Sequence, residues 1–180
     1  MAYQKLQVSD GLTVIPSSTV RIPDPSSAVN VIDGTYTAAD GVTVFSVVAN
    51  SGSILTGTAT EFTKMNIKSG AIIYNTTDTK AYTVKSVDSD TQITLNQTAS
   101  GSASADITIY NNPTVGCILY VGGTGNLVVQ MAAQSGNTTT AATPANHTVT
   151  FNSLPNASFL PVQVIRVDDS STASSLIALW

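Results

Sequence analysis

His147 is the only histidine, and a hydrolytic triad would need it as the base that takes a proton from a serine, with a carboxylate to orient the imidazole. Asp168 and Asp169 are the carboxylates open to that role. With 21 Ser and 26 Thr in the chain, the nearness of a hydroxyl to His147 would distinguish nothing. Glycosidase chemistry asks for two carboxylates across a cleft, yet Glu61 is the only glutamate and no aspartate pair stands apart from the turn-forming ones. Asp88 and Asp90 share one turn, but the further oxygen ligands and fixed glycine of a calcium loop are missing, so turn chemistry is their expected work. Cys117, the single cysteine, lies in the apolar run Val115-Gly116-Cys117-Ile118-Leu119. It can form no internal disulfide and is expected to be a buried, inert thiol, with no cation near it in sequence to lower its pKa. One histidine, one thiol and scattered aspartates give no repeated ligand spacing. Gly122-Gly123-Thr124-Gly125 lies between two strand patterns rather than ahead of a helix, so it is no phosphate cradle. The expectation is a protein that is not an enzyme, with no cofactor and no metal.

Charge narrows the partners. Only 10% of the 180 residues are charged and the net charge is −4, whereas nucleic-acid binding needs clustered Lys and Arg. Lys64, Lys68, Lys80 and Lys85 are interleaved with Glu61, Asp78, Asp88 and Asp90 and read as a mixed solvated surface. No nucleic-acid partner is expected. The start of the chain lacks the basic and apolar stretches of a secretory signal, and no run approaches a membrane span, so no membrane partner is expected either. A hydrophobic share of 42% excludes disorder as the default state.

The elements that would position any site are strands. In residues 1–40, Pro16, Pro23 and Pro25 stand among serines and short extended pieces, which reads as an arm or edge segment with its first strands. In 41–111 the runs Val42–Val48, Ala71–Tyr74, Ala81–Val87, Gln92–Leu95 and Asp106–Tyr110 show strand rhythm between turn signals. Residues 112–180 are expected to form a C-terminal β domain packing with the N-terminal segment, in which Cys117–Val121 and Asn126–Gln130 form a hairpin across the glycine-rich turn. A long exposed loop over 135–146 is expected next, then strands at Thr148–Phe151, Leu160–Val167 and 174–180. The best helical candidate, Thr60–Ile67, is short and interrupted. The fold class is therefore all-β: an antiparallel β-sandwich or barrel domain with an inserted small β-barrel and an extended Pro-rich N-terminal arm. Tyr74, Tyr82, Tyr110 and Tyr120 sit in strands, where half-buried packing is the commoner fate and sugar stacking the sharper one. Trp180 reads equally as a packing anchor or an interface hot spot.

The C-terminal third carries a resemblance. Cys117-Ile-Leu-Tyr-Val-Gly-Gly-Thr-Gly-Asn-Leu-Val-Val, then Thr148-Val-Thr-Phe-Asn-Ser-Leu-Pro, Phe159-Leu-Pro-Val-Gln-Val-Ile-Arg-Val and Thr172-Ala-Ser-Ser-Leu-Ile-Ala-Leu together resemble the head spike base family of tailed phages and gene transfer agents. The segment from Pro16 to Pro25 looks like that family's start. Residues 41–111, with Gly57-Thr-Ala-Thr-Glu-Phe, Tyr82-Thr-Val-Lys-Ser-Val and Asp88-Ser-Asp-Thr-Gln-Ile-Thr-Leu, are similar to small β-barrels of virion proteins, here as an insertion. The resemblance implies a capsid decoration role without enzymatic activity.

The expected protein is thus a bacteriophage virion structural protein on the capsid exterior, made in the host cytoplasm. It would act as a decoration (cement) protein or head spike base bound to the major capsid protein. A homo-oligomer is expected, a trimer being compatible with the closed symmetry of phage surfaces, with a spike or fibre protein as a further partner. Pro16, Pro23, Pro25 and Trp180 are the candidate interface residues, the arm reaching across a neighbour. The alternative is a tail- or fibre-associated receptor- or glycan-binding module acting through the 41–111 unit and its Tyr74 and Tyr82.

Overall fold

The computed structural model describes residues 8–29, 47–49, 52–57, 61–99, 107–134 and 148–180. The chain divides into two compact units, one from residues up to Pro25 together with Thr114–Trp180, called the outer unit from its place in the sequence, the other from Ser26–Pro113, called the inner unit because it is inserted in sequence between those two segments. Each holds one six-stranded sheet, every described strand pairing is antiparallel, and among the described residues there is no α-helix. The fold is all-β.

The inner unit orders its strands β2 (Val47–Ala49), β3 (Gly52–Gly57), β6 (Gln92–Ala99), β5 (Lys80–Ser89), β4 (Ile72–Asn75) and β7 (Ile107–Tyr110). Alternation in β5 and β6 buries Tyr82, Val84, Ile93 and Leu95, which join Leu55, Ile73 and Ile109 in one core. The helical candidate over 60–67 reduces to a single 3-10 turn at Phe62–Lys64. Its purpose is to deliver Phe62, fully buried, into that core. The unit starts at Ser26 rather than at residue 41 because Ala28 bridges Tyr110 and the Val29 N–H donates to Ile109 O at 2.7 Å. Residues 26–29 therefore lie along the β7 edge, and residues 30–40 of the expected arm lie outside the described residues. The part Val42–Ser46 of the first expected strand, the stretch 101–106 and the predicted loop 135–146 lie outside the described residues.

The outer unit orders its strands β1 (Gly11–Thr13), β12 (Ser174–Leu179), β8 (Cys117–Gly123), β11 (Ser158–Val167), β9 (Gly125–Met131) and β10 (Val149–Leu154). The expected hairpin across Gly122–Gly125 is not formed: β11 lies between β8 and β9 in the sheet. Val164 pairs with Cys117 on one side and Met131 on the other, so the far ends of β8 and β9 come within about two strand spacings, roughly 10 Å. The short span Val121–Asn126 is meanwhile matched to the long span Ser158–Thr172, through Val121 opposite Ser158 and the Thr172 N–H on Asn126 O. Residues 158–172 must arc to satisfy both, and the sheet curls round its buried face. The glycines serve this curl instead of a two-residue turn, since a Cβ on Gly125 would come within 2.4 Å of Ala173 N.

The proline-containing N-terminal segment closes the curl. β1 pairs with β12, the Val14 N–H donates to Leu176 O at 2.9 Å, and the Ser17 and Ile22 N–H groups then donate to Val167 O and Ile165 O at 2.8 and 2.9 Å. Val14 and Ile22 enter the core formed by Leu119, Val121, Leu127, Val129, Val164 and Leu176. Over its described residues the arm is thus a structural segment of its own unit, as its apolar residues Val14, Ile15, Val20 and Ile22 require.

Candidate functional site

Among the described residues, those whose types could do chemistry do not assemble. His147 lies outside the described residues, and among the described residues no three His, Cys, Asp or Glu gather as a metal site. Asp88 accepts from Ser86 Oγ at 2.7 Å and Thr94 Oγ1 at 2.6 Å, and these bonds hold its pKa below the ordinary carboxylate value. Asp90 accepts from the N–H and hydroxyl of Thr63. The pair is turn and cross-strand chemistry, made by side chains across the hairpin.

Cys117 is buried, its Sγ 3.2 Å from Val164 O, and burial pushes its thiol up to about 12. A thiol so far above neutral pH has almost no thiolate to react. The folded protein is expected to leave Cys117 unmodified by a maleimide at neutral pH and to react completely in denaturant, as read by intact mass.

Asp168 sits beside Arg166, the one buried cation among the described residues, at 3% exposure. The Arg166 Nε donates to Gln130 Oε1 at 3.2 Å, and its Nη1 reaches Ser17 O and Asp168 Oδ2, both at 3.5 Å. It ties the N-terminal segment, β9 and β11 together. Burial raises the Asp168 pKa, but the Ser170 hydroxyl at 2.6 Å, the Ser170 N–H at 3.1 Å and Arg166 outweigh it, leaving the carboxyl below its ordinary value. A carboxyl depressed in the folded state adds stability above its unfolded pKa, about 3.9, and loses it as the pH falls through the folded value. Asp168→Asn is expected to be less stable than wild type by about 1 kcal/mol at neutral pH. In urea denaturation that gap should close as the pH is lowered below about 4.

The expected interface residues differ in exposure. Pro16 is exposed, Pro25 half-buried and Pro23 buried. Trp180 packs on the outer unit's core and its indole N–H donates to Thr114 Oγ1 at 3.0 Å, while its backbone O accepts from the Ser9 N–H at 2.6 Å. It is a packing anchor of its own unit. The sugar-stacking role is overturned for Tyr74, Tyr82 and Tyr110, which are 2%, 2% and 7% exposed. Buried rings leave no face for a sugar. Tyr74 and Tyr110 meet edge to face in the interior, their centroids 5.9 Å apart.

The outer unit instead presents an uncharged sheet face on which Phe159 and Ile177 are exposed and Ile118, Tyr120 and Leu179 half-buried. The alternation that buries Cys117, Leu119 and Val121 turns Ile118, Tyr120 and Gly122 outward, and that burying Leu176 and Ala178 turns out Ser175, Ile177 and Leu179. Register sets these in rows. Thr13, Ile177, Tyr120 and Phe159 lie side by side across β1, β12, β8 and β11, and Gly11, Leu179 and Ile118 form the next row. Phe159 is 59% exposed and meets Tyr120 edge to face at 5.3 Å. None of β1, β8, β12 or the 158–163 half of β11 contains an Asp, Glu, Lys, Arg or His. Sequence reasoning passed over this face. Its signal was the unbroken apolar run Cys117–Val121, which covers both sides of a strand when only one side is needed for the core.

Comparison with protein-family models, curated proteins and solved structures finds no match to this chain.

Proposed function

We propose that the protein is a virion structural protein of a tailed phage, carried on the capsid exterior as a decoration (cement) protein or head spike base and bound to the major capsid protein. The observation that carries this reading is the uncharged apolar face of β1, β12, β8 and β11. Apolar area held on a strand framework is the material of lasting protein contacts, and an exposed patch rimmed by hydroxyls marks an interaction surface. The sequence resemblance to head spike base proteins supplies the setting. A chain with 66 Ser, Thr, Asn and Gln residues and few ions fits a particle exposed to varying ionic strength, because contacts made without ions are not screened by salt.

The test mixes purified protein with empty capsid shells of the parent phage, sediments them and counts copies retained per major capsid protein. Near-stoichiometric retention, unchanged between low and high salt, is the result expected of a cement protein, and retention of a few copies per particle that of a spike base. No retention at any salt concentration overturns the reading.

A further inference from the structure

We propose that Asp10-Gly11 is a self-modification site, at which the Gly11 nitrogen closes on the Asp10 carboxyl to a succinimide that water reopens to isoaspartate, freeing the Trp180 main chain from the N-terminal segment. The pair is one of three Asp-Gly dipeptides in the chain and the one among the described residues.

Geometry places the reacting atoms together. The Gly11 N–H donates to Asp10 Oδ1 at 2.8 Å, so the nitrogen stands beside the carboxyl carbon to which that oxygen is bonded. The strand pairing leaves it there. Asp10 O accepts from the Trp180 N–H and the Val14 N–H donates to Leu176 O, so this set of alternate residues bonds toward β12 and Gly11, of the other set, turns its N–H away. β1 is an edge strand, and both Asp10 and Gly11 are exposed. With no Cβ, Gly11 neither crowds its own nitrogen nor restricts the backbone rotation that ring closure needs.

The reaction needs only water. The nitrogen bonds to Asp10 Cγ, losing its proton as Cγ loses its hydroxyl, and one water leaves. A water then adds to the imide. Opening at the former Asp10 main-chain carbonyl leaves the chain running through Cβ and Cγ, one methylene longer, with the old carbonyl carbon as a pendant carboxylate. That carbonyl is the acceptor of the Trp180 N–H at 3.2 Å, and just before it the Ser9 N–H donates to Trp180 O at 2.6 Å. A longer chain between Ser9 and Gly11 cannot keep both bonds while Gly11 stays opposite Leu179. The Trp180 indole keeps its separate bond to Thr114 Oγ1, so what is released is main chain.

The experiment incubates the full chain for weeks in warm, mildly acidic buffer, beside a synthetic peptide of residues 6–21, the fragment that trypsin releases by cutting after Lys5 and Arg21. Isoaspartate in the fragment is counted with protein isoaspartate methyltransferase and labelled S-adenosylmethionine. The expected result is conversion in the folded protein within about threefold of the rate in the free peptide, because exposed edge segments open at close to zero free energy. Gly11→Ala should slow conversion at least about tenfold. A Cβ there would lie 3.4 Å from Leu179 Cδ2, an ordinary contact, so the variant keeps the fold. Hydrogen exchange at the Trp180 amide is the second readout. It should become at least about tenfold faster in converted protein and stay unchanged in Asp10→Glu incubated the same way, whose longer side chain would have to close a six-membered ring. Absence of isoaspartate at residue 10 over a period in which the free peptide converts overturns the site. Isoaspartate at residue 10 with Trp180 exchange unchanged overturns the release.

Discussion

Gly125→Val should destabilise the outer unit by about 3 kcal/mol or more, through backbone collision and strain together. A Cβ at Gly125 would lie 2.4 Å from Ala173 N and 2.6 Å from Thr172 C, and backbone cannot swing aside as a side-chain tip can. To make room, residues 172–173 would have to leave β9, breaking the Thr172 and Ala173 N–H bonds to Asn126 O at 2.8 and 3.0 Å. Those bonds hold the chain against β9 where it passes from β11 to β12. Gly70 supplies the control. It also has a positive φ, +89°, but nothing lies within 4 Å of a Cβ there, so Gly70→Ala should cost only the backbone strain, about 1 kcal/mol. Urea denaturation reads both: Trp180 fluorescence follows the outer unit, because Trp180 is the only tryptophan and packs on that unit's core, and the circular-dichroism transition follows the inner unit, which holds Gly70. Equal losses for the two variants would show that close approach is not what Gly125 provides.

Phe62→Ala is expected to cost the inner unit about 3–5 kcal/mol, the range for emptying a buried aromatic site. Phe62 is 0% exposed and comes from a 3-10 turn instead of a strand, held by Asp90 O and the Asp90 side chain. A short turn so anchored cannot slide inward to fill the void, which places the cost toward the upper end. The two cores share no residue. The circular-dichroism transition of the inner unit should therefore move to lower denaturant while the Trp180 transition stays in place. A shift of both by the same amount would mean that the chain unfolds as one cooperative body, against the division into two cores.

Much of this architecture was legible from residue types alone. Period-two alternation in Ala81–Val87 and Cys117–Val121 specified strands, because side chains of an extended chain alternate between core and solvent. The burial of Cys117 followed from its apolar neighbours. The structural employment of Asp88 followed from its place at a turn, although its bonds run to Ser86 and Thr94 side chains rather than to its own backbone. The scarcity of ions, visible in the composition, anticipated a surface of hydroxyls and amides.

Pairing was not legible, and the reason is that periodicity is a local property while register is not. Cys117–Val121 and Asn126–Gln130 carry the signs of a hairpin, yet β11, which begins 27 residues beyond the end of β9, takes the place between them. The same non-local choice sends Tyr74 and Tyr82 into a core, where their sequence context allowed an exposed face, and draws Arg166 inside against Gln130, Ser17 and Asp168. It also decides which side of β8 is left over. Residue types alone made this an all-β chain with little charge, and only the closure of the sheet determined that Ile118, Tyr120, Phe159, Ile177 and Leu179 share one uncharged outer face, since side chains contributed by separate strands become neighbours through register alone.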